Sequence, residues 1–325
     1  MKAYRAHRLA GLEMLAVEEA AAPTPPAGAV SITVKAAGIH LADFAALTGD
    51  RAPRPDLPFT PGLEVAGTVA AIGAGVKGLK KGQRVAAFVP WGGLAEQALT
   101  PAELCVAIPE GVSDAQAASL PVAYAGAILA LREKARLAEG ETVLVLGAGG
   151  FIGLAAVEAA KQLGAPVIAS AGGEDRVSLA GGQGADHLID TQTEVLADRV
   201  KEFTGGKGVN VVFDPVGGDA FEAAAATAAN GARLICAGFA GGRVPRANVG
   251  VLYARDLTLF AANLPLTVQS HPALARAALI DAVKWAAEGK IHPRIAVQFP
   301  FADARHAFDY AKSRRGNGAI VVTFD

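Results

Sequence analysis

The strand-forming residues Thr142-Val143-Leu144-Val145-Leu146 run directly into the turn Gly147-Ala148-Gly149-Gly150-Phe151-Ile152-Gly153. An apolar strand that ends in such a turn and continues as a helix is a phosphate-binding arrangement. The glycines let backbone N–H groups approach a pyrophosphate, and the helix N-terminus adds partial positive charge. The spacing is Gly147-x-x-Gly150-x-x-Gly153 rather than Gly-x-Gly-x-x-Gly, whose third glycine would fall on Ile152. Context carries the inference. A strand before and a helix from Gly153 to Leu163 after it select a parallel α/β sheet and nominate Gly147, Gly149, Gly150, Phe151, Ile152 and Gly153 as dinucleotide contacts. A glycine turn that holds no ligand is the alternative.

The same alternation continues on both sides of that turn. Val167 to Ser170, His187 to Ile189, Val209 to Phe213, Arg233 to Ala237 and Leu257 to Ala261 read as strands. Arg176 to Gly182, Glu194 to Phe203 and Phe221 to Ala229 read as helices. Strands alternating with helices predict a doubly wound parallel sheet. Up to about residue 110 the texture differs. Short β-branched runs, Ser31 to Val34, Val65 to Ile72 and Arg84 to Val89, are divided by Gly and Pro, and Pro53, Pro55, Pro58 and Pro61 mark an extended loop. From Asp114 to Glu133 the apolar spacing becomes helical. A chain of 325 residues is longer than one core usually grows, so two domains are expected. Beyond the helix Ala273 to Glu288, the terminal strand Ala319 to Phe324 needs a pairing partner and is expected to return to the first domain.

Hydrophobic residues make up 52% and charged residues 19%, which excludes a disordered chain and suits strands buried on both faces. With 30 basic and 31 acidic residues the formal charge is −1, so no overall field draws nucleic acid or anionic membrane. The expected partner is a small molecule. Cys105 and Cys236 lack Cys-x-x-Cys spacing and neighbouring His, which argues for buried thiols rather than a disulfide framework or zinc ribbon. Met1 to Arg8 is not followed by a long apolar segment, and Leu120 to Leu131 ends at Arg132, short of a membrane span. The chain is read as cytoplasmic.

Several motifs recur in a familiar order: Pro61-Gly62-Leu63-Glu64-Val65-Ala66-Gly67, Lys81-Gly82-Gln83-Arg84-Val85, Gly92-Gly93-Leu94-Ala95-Glu96, the glycine turn, Gly184-Ala185-Asp186, and Phe213-Asp214-Pro215-Val216-Gly217-Gly218. In order and spacing the whole chain resembles the medium-chain dehydrogenase/reductases, nearest their zinc-independent quinone reductase branch. The resemblance implies a GroES-like β-rich catalytic domain over residues 1–118 and 263–325, and a Rossmann NADP-binding domain over 119–262, meeting at an active-site cleft. It also implies a homodimer, with Leu257 to Ala261 apolar enough to be the pairing edge.

Zinc members of that superfamily place a Cys in a Gly-x-Cys loop, a His in Gly-His-Glu, and a further Cys or acidic ligand near the domain crossing. The matching positions here are His40, Leu63 and the Cys-free stretch Leu120 to Gly126. His40, Asp43 and Glu64 offer a substitute set, but leucine cannot ligate and a catalytic zinc needs three protein ligands. No metal site is expected. Without a Lewis acid, reduction of a conjugated acceptor is the easier chemistry, because the acceptor's own oxygen takes up the charge that hydride brings.

Three side chains are candidates for that chemistry. Zinc-free relatives usually carry Asn at the position of His40, so this imidazole is a departure that can donate to the acceptor oxygen or act as general acid. A loop histidine satisfied by backbone is the plainer reading. Asp43 either positions His40, binds the ribose or caps a helix, and Tyr124 either faces the nicotinamide or packs. Enoyl-thioester reductases of the superfamily use a tyrosine after the Asp43 helix, and Phe44 to Leu47 supply none.

NADPH is the expected cofactor. An NAD-preferring fold carries Asp or Glu at the end of the second strand, about 20 residues past the turn, and Ala171 stands there after Ser170. Arg176 stands where NADPH-using relatives generally place a Lys, and its guanidinium can meet a 2′-phosphate bidentately, with Ser170 adding a bond. Pairing of Arg176 with Glu174 or Asp175 is the alternative. Val216, Gly238 and Phe239 at strand ends should border the nicotinamide. The stretches from Arg51 to Phe59 and Asn248 to Pro272 carry no readable acceptor code. A redox-responsive NADPH-binding regulator or structural protein, and a reductase of another activated double bond, are the competing functions.

Overall fold

The computed structural model describes residues 1–50, 54–313 and 316–325. Arg51 and Pro53 of the expected proline-rich loop lie outside them. The chain divides into two compact units, Met1–Ala125 with Val268–Gly289 and Pro293–Asp325, and Gly126–Thr267 with Lys290–His292.

The first unit is built on a mixed sheet whose longest strand, Ala29–Gly38, pairs antiparallel with Glu64–Ile72, Gln97–Pro101 and the terminal strand Ala319–Thr323. Beyond these lie Arg84–Phe88 and Cys105–Ala107 on one side and Ile295–Pro300 on the other. Its core is aliphatic: Val30, Ile32, Val65, Val85 and Val322 are fully enclosed, with Phe308 from the helix Ala304–Lys312 packed among them. Burial of such side chains contributes about 1.5–3 kcal/mol each. A separate hairpin, Lys2–Ala6 with Leu15–Glu19, has no strong alternation in sequence.

The second unit holds six parallel strands in the order His187–Asp190, Val167–Ala171, Val143–Leu146, Val209–Asp214, Ala228–Cys236 and Thr258–Ala261. Numbered along the chain this is 3-2-1-4-5-6, the doubly wound order, with its switch point between Val143–Leu146 and Val209–Asp214. Strand residues Val143, Leu144, Val145, Val211 and Val212 are fully buried, as parallel strands covered on both faces require.

The chain crosses between units at Gly126 rather than 118/119. The stretch from Asp114 to Glu133, whose apolar spacing reads as helical, lies within the α-helix Asp114–Ala118, a π-helical stretch Leu120–Ala125, one turn Gly126–Ile128 and a second π-helical stretch Leu129–Lys134. Pro121 has no N–H to offer a regular ladder, which favours a break near it. Lys290–His292 belong to the second unit because the buried Glu158 accepts the His292 N–H at 2.7 Å and Gln162 donates to the Lys290 carbonyl at 3.0 Å. On either side of the strand Thr258–Ala261, the stretch from Asn248 to Pro272 contains the helices Val249–Ala254 and Leu264–Ser270. Asn248 starts the first by accepting the Gly250 N–H at 2.9 Å, a side-chain cap that marks a helix start rather than a loop. Among the described residues no helix is long and apolar enough to cross a membrane.

Candidate active site

In the second unit the strand Val143–Leu146 ends at Gly147, whose φ of +56° is costly for any residue with a Cβ. A Cβ there would also lie 2.6 Å from Val216 Cγ2, so the turn after one central strand presses on the turn after its neighbour at the switch point. Gly150 is exposed and caps the helix Phe151–Gln162, which has neither a side-chain cap nor an acidic residue in its first turn. Gly153 lets this helix seat on the turn: its Cβ would fall 2.3 Å from the Gly147 carbonyl and 2.7 Å from Ala148 Cα. A helix N-terminus with no side-chain cap, beside a turn this tight, suits a diphosphate, and the residues fit a dinucleotide.

Gly149 extends the fit toward the adenosine end. A Cβ on it would lie 2.4 Å from Arg176 Cβ, so the Arg176 stem rests on the phosphate turn. Arg176 lies in the first part of the helix Glu174–Gly182 and is half-buried. Ala171 ends the second strand and is buried, as is Ser170, which leaves Arg176 the more accessible group for a 2′-phosphate. Across the switch point, the segment after the fifth strand runs beside the end of the fourth: the Ala240 N–H donates to the Pro215 carbonyl at 3.0 Å and the Gly241 N–H to the Val216 carbonyl at 2.8 Å. Gly238 and Phe239 lie on this segment, with Phe239 48% exposed. Beneath them Asp214 is fully buried and accepts the Val216 and Gly217 N–H groups at 2.7 and 2.9 Å. Burial pushes its carboxyl up, and the two N–H bonds only partly offset this. The Cys236 thiol is likewise raised, by burial and then by the Asp214 charge.

The first unit assembles a different kind of site. His40 caps the helix Leu41–Thr48, and its backbone N–H donates to Asp43 Oδ2 at 2.9 Å. Asp43 Oδ1 accepts the Gly62 N–H at 3.0 Å, so this carboxylate ties two loops together through their backbones. Of the roles weighed for Asp43, helix capping and positioning describe these contacts. The His40 ring is not satisfied by backbone alone: Nε2 lies 2.6 Å from Glu64 Oε1, and Glu64 Oε2 accepts the Val122 N–H at 2.7 Å. Tyr124, two residues on, is 1% exposed. Leu63 is buried beside Glu64, and among the described residues no group of three His, Cys, Asp or Glu could hold a metal ion.

Glu64 is the residue that sequence reasoning undervalued, having weighed it only as a metal ligand. Its one signal is Gly38: a Cβ there would meet Glu64 Oε1 at 2.0 Å, so a glycine two residues before His40 makes room for the carboxylate.

Known proteins place these features in a lineage. Residues 26–110 match the alcohol dehydrogenase GroES-like domain, and residues 152–278 match the domain described as zinc-binding dehydrogenase. A quinone oxidoreductase-like protein 2 from Bos taurus is 35% identical over 98% of this chain and 92% of its own length. The chain belongs to the medium-chain dehydrogenase/reductases, in their quinone oxidoreductase-like branch. As a member of that family it is an oxidoreductase of the nicotinamide-dependent type. The Escherichia coli quinone oxidoreductase complexed with NADPH superimposes with a TM-score of 0.88 at 29% identity, covering 99% of this chain and all (100%) of that one. An NAD-dependent alcohol dehydrogenase superimposes equally well, with a TM-score of 0.88 at 26% identity over 99% of each chain. Fold alone therefore does not separate the cofactors or the acceptors within this family, and the side chains must do so.

Proposed function

We propose that this chain is a zinc-independent, NADPH-dependent reductase that passes hydride to a quinone or another conjugated carbonyl. The carrying observation is that the residues at the family's metal position are engaged with one another. His40 and Glu64 are paired, both Asp43 oxygens accept backbone N–H groups, and Leu63 replaces a ligand. A zinc would have to displace these bonds, and Leu63 offers it no donor at a ligand position. With no Lewis acid to lower an alcohol's pKa, a conjugated acceptor is the substrate whose reduction needs the least from the protein: orientation and a hydrogen-bond donor at the oxygen.

NADPH would be held by Gly147, Gly149, Gly150, Phe151, Ile152 and Gly153 at the diphosphate and by Arg176 at the 2′-phosphate, with Ser170 and Ala171 lining the strand end. Val216, Gly238 and Phe239 would flank the nicotinamide. When bound, the reduced nicotinamide supplies hydride. His40 would meet the acceptor oxygen, held by Asp43 through its backbone. Two copies would pair through the edge strand Thr258–Ala261, where Leu259 is 39% exposed. Light scattering that returns a monomer mass at micromolar concentration contradicts the dimer.

The direct test follows NADPH oxidation against small quinones, enones and aldehydes before and after chelator treatment, with elemental analysis of the purified protein. Turnover on quinones or enones that survives chelation is expected, with no stoichiometric zinc. One zinc per chain, or activity confined to alcohols and simple aldehydes, overturns the reading. Tight NADPH binding without turnover on any acceptor identifies a binding protein instead of an enzyme.

A further inference from the structure

Val143, Val211, Arg233 and Thr258 form a row across the parallel sheet, each paired in register with the next. Val143 opens the strand that ends at Gly147, so the row lies at the end of the sheet opposite the phosphate turn. A cavity of about 520 Å³ opens there, lined by Glu133 to Arg136 and by Arg233, Thr258 and Phe260, all of the second unit. Small-molecule sites span about 300–1,000 Å³. The charge around it is one-sided. Arg233, 20% exposed, donates to the Ala135 carbonyl at 2.7 Å and the Arg136 carbonyl at 3.2 Å and pairs with Glu141. Glu133 is paired with Arg132 at 2.8 Å. Lys134, half-buried, and Arg136, exposed, have no carboxylate partner among the described residues. A chain whose formal charge is −1 therefore leaves two cations, two residues apart, uncompensated at one concavity. Arg136 is also strained. Its φ of +49° is left-handed backbone, where glycine is the ordinary residue and a Cβ is disfavoured. Such strain persists where the surroundings impose it, here through the Arg233 bonds to two successive carbonyls, and it clusters at ligand sites.

We propose that this cavity binds a small polyanion with two or more negative charges, a polyphosphate or a polycarboxylate, held by Lys134 and Arg136 through charge-assisted hydrogen bonds. Lys134 brings a point charge with three donors and Arg136 a planar fork, so together they suit two oxyanion groups of one molecule better than a single small ion. Arg233 is the strut that fixes the wall. Thr258 adds a hydroxyl to the lining, and Phe260, two residues further along the same strand and so on the same face, adds an apolar contact. No bond is made or broken at this site; occupancy stabilises the folded chain by mass action. Thr258 and Phe260 belong to the strand read above as the pairing edge between copies, so a second copy is the competing occupant of this face.

Isothermal titration at low ionic strength with inorganic pyrophosphate, tripolyphosphate and citrate tests the site and separates the two sources of charge. Saturable binding is expected with a dissociation constant below about 1 mM, weakening as salt is added. Phosphates that bind without citrate, or citrate without phosphates, identify which oxyanion the site takes. Lys134→Gln and Arg136→Gln should each weaken binding about 10- to 100-fold. Lys77→Gln, which removes an exposed charge in the other unit, should leave it within about twofold. Arg136→Gly keeps a residue suited to the left-handed turn, so it should unfold in no less urea than the parent and still lose the anion. Arg176→Ala should leave this binding intact. Absence of saturable heat with all three anions overturns the proposal, as does retained binding in Arg136→Gly or an equal loss in Lys77→Gln. Loss in Arg176→Ala places the anion at the phosphate turn and contradicts it too. Binding that disappears as protein concentration rises through the dimer range assigns the face to a second copy instead.

Discussion

Around Gly147 the turn is closed by backbone hydrogen bonds, from the Gly150 N–H to the Gly147 carbonyl at 3.0 Å and from the Ala148 N–H to the Ser170 carbonyl at 2.9 Å. Around His40 the contacts are made by side chains reaching across the fold: Glu64 is 24 residues from His40, and Val122 is 58 residues from Glu64. A site made of backbone tolerates no added Cβ, because the atoms it would strike cannot turn aside. A site made of side chains can yield by rotating, and loses its chemistry before it loses its fold. The contrast teaches where each kind of site should fail.

Gly153→Ala should be the more damaging of two parallel glycine substitutions. The new Cβ would meet the Gly147 carbonyl and Ala148 Cα, both backbone, so destabilisation of about 3 kcal/mol is expected, the upper end for overpacking, together with loss of NADPH binding. Urea unfolding and cofactor fluorescence check this, and a change under about 0.5 kcal/mol would mean the turn has slack. Gly38→Ala places its Cβ against the Glu64 carboxylate, which can swing away. A smaller cost, about 1–2 kcal/mol, is expected, with quinone turnover reduced and NADPH affinity kept. Equal loss of binding in both variants would erase the distinction between the two regions.

The smallest effect expected is one of pH, at the floor of the switch point. The Asp214 carboxyl is raised from 3.8 by burial, so the stability it contributes is complete below that value and is lost as pH rises through its folded-state pKa. Asp214→Asn removes the titration and keeps an oxygen for the Val216 and Gly217 N–H groups. Unfolding free energies from pH 4 to 7 should therefore fall less steeply for Asp214→Asn than for the parent. Identical slopes would show that this carboxylate pays no burial penalty.

Legibility in the sequence follows the same division. The turn was readable because strand, glycines and helix are contiguous, and each glycine marks a place where backbone must come close. The alternation from Val143 to Ala261 likewise led to the parallel sheet in its doubly wound order. Local signals failed where the ladder departs from regularity, as at Pro121, and where side-chain capping is short-range and weak, as at Asn248. The His40–Glu64 contact was out of reach for a different reason. No periodicity links residues 40, 64 and 122; only the pairing of Ala29–Gly38 with Glu64–Ile72 brings the first two together. His40 was visible as a departure from its relatives, and its partner became visible only in three dimensions.

If the second unit selects the cofactor through Arg176 beside its phosphate turn, and the side chains of the first serve the acceptor, a crossed comparison of two variants separates the two roles. NADPH dissociation constants and quinone turnover numbers are measured for Arg176→Ala and His40→Ala beside the parent. Loss of a charge-assisted contact is worth about 1.5–3 kcal/mol, so Arg176→Ala should bind NADPH about 10- to 100-fold more weakly, bind NADH as before, and keep its turnover number. His40→Ala should bind NADPH as the parent does and turn over more slowly. Equal weakening of NADPH and NADH by Arg176→Ala, or a His40→Ala variant that loses cofactor affinity and keeps its turnover, would contradict the division.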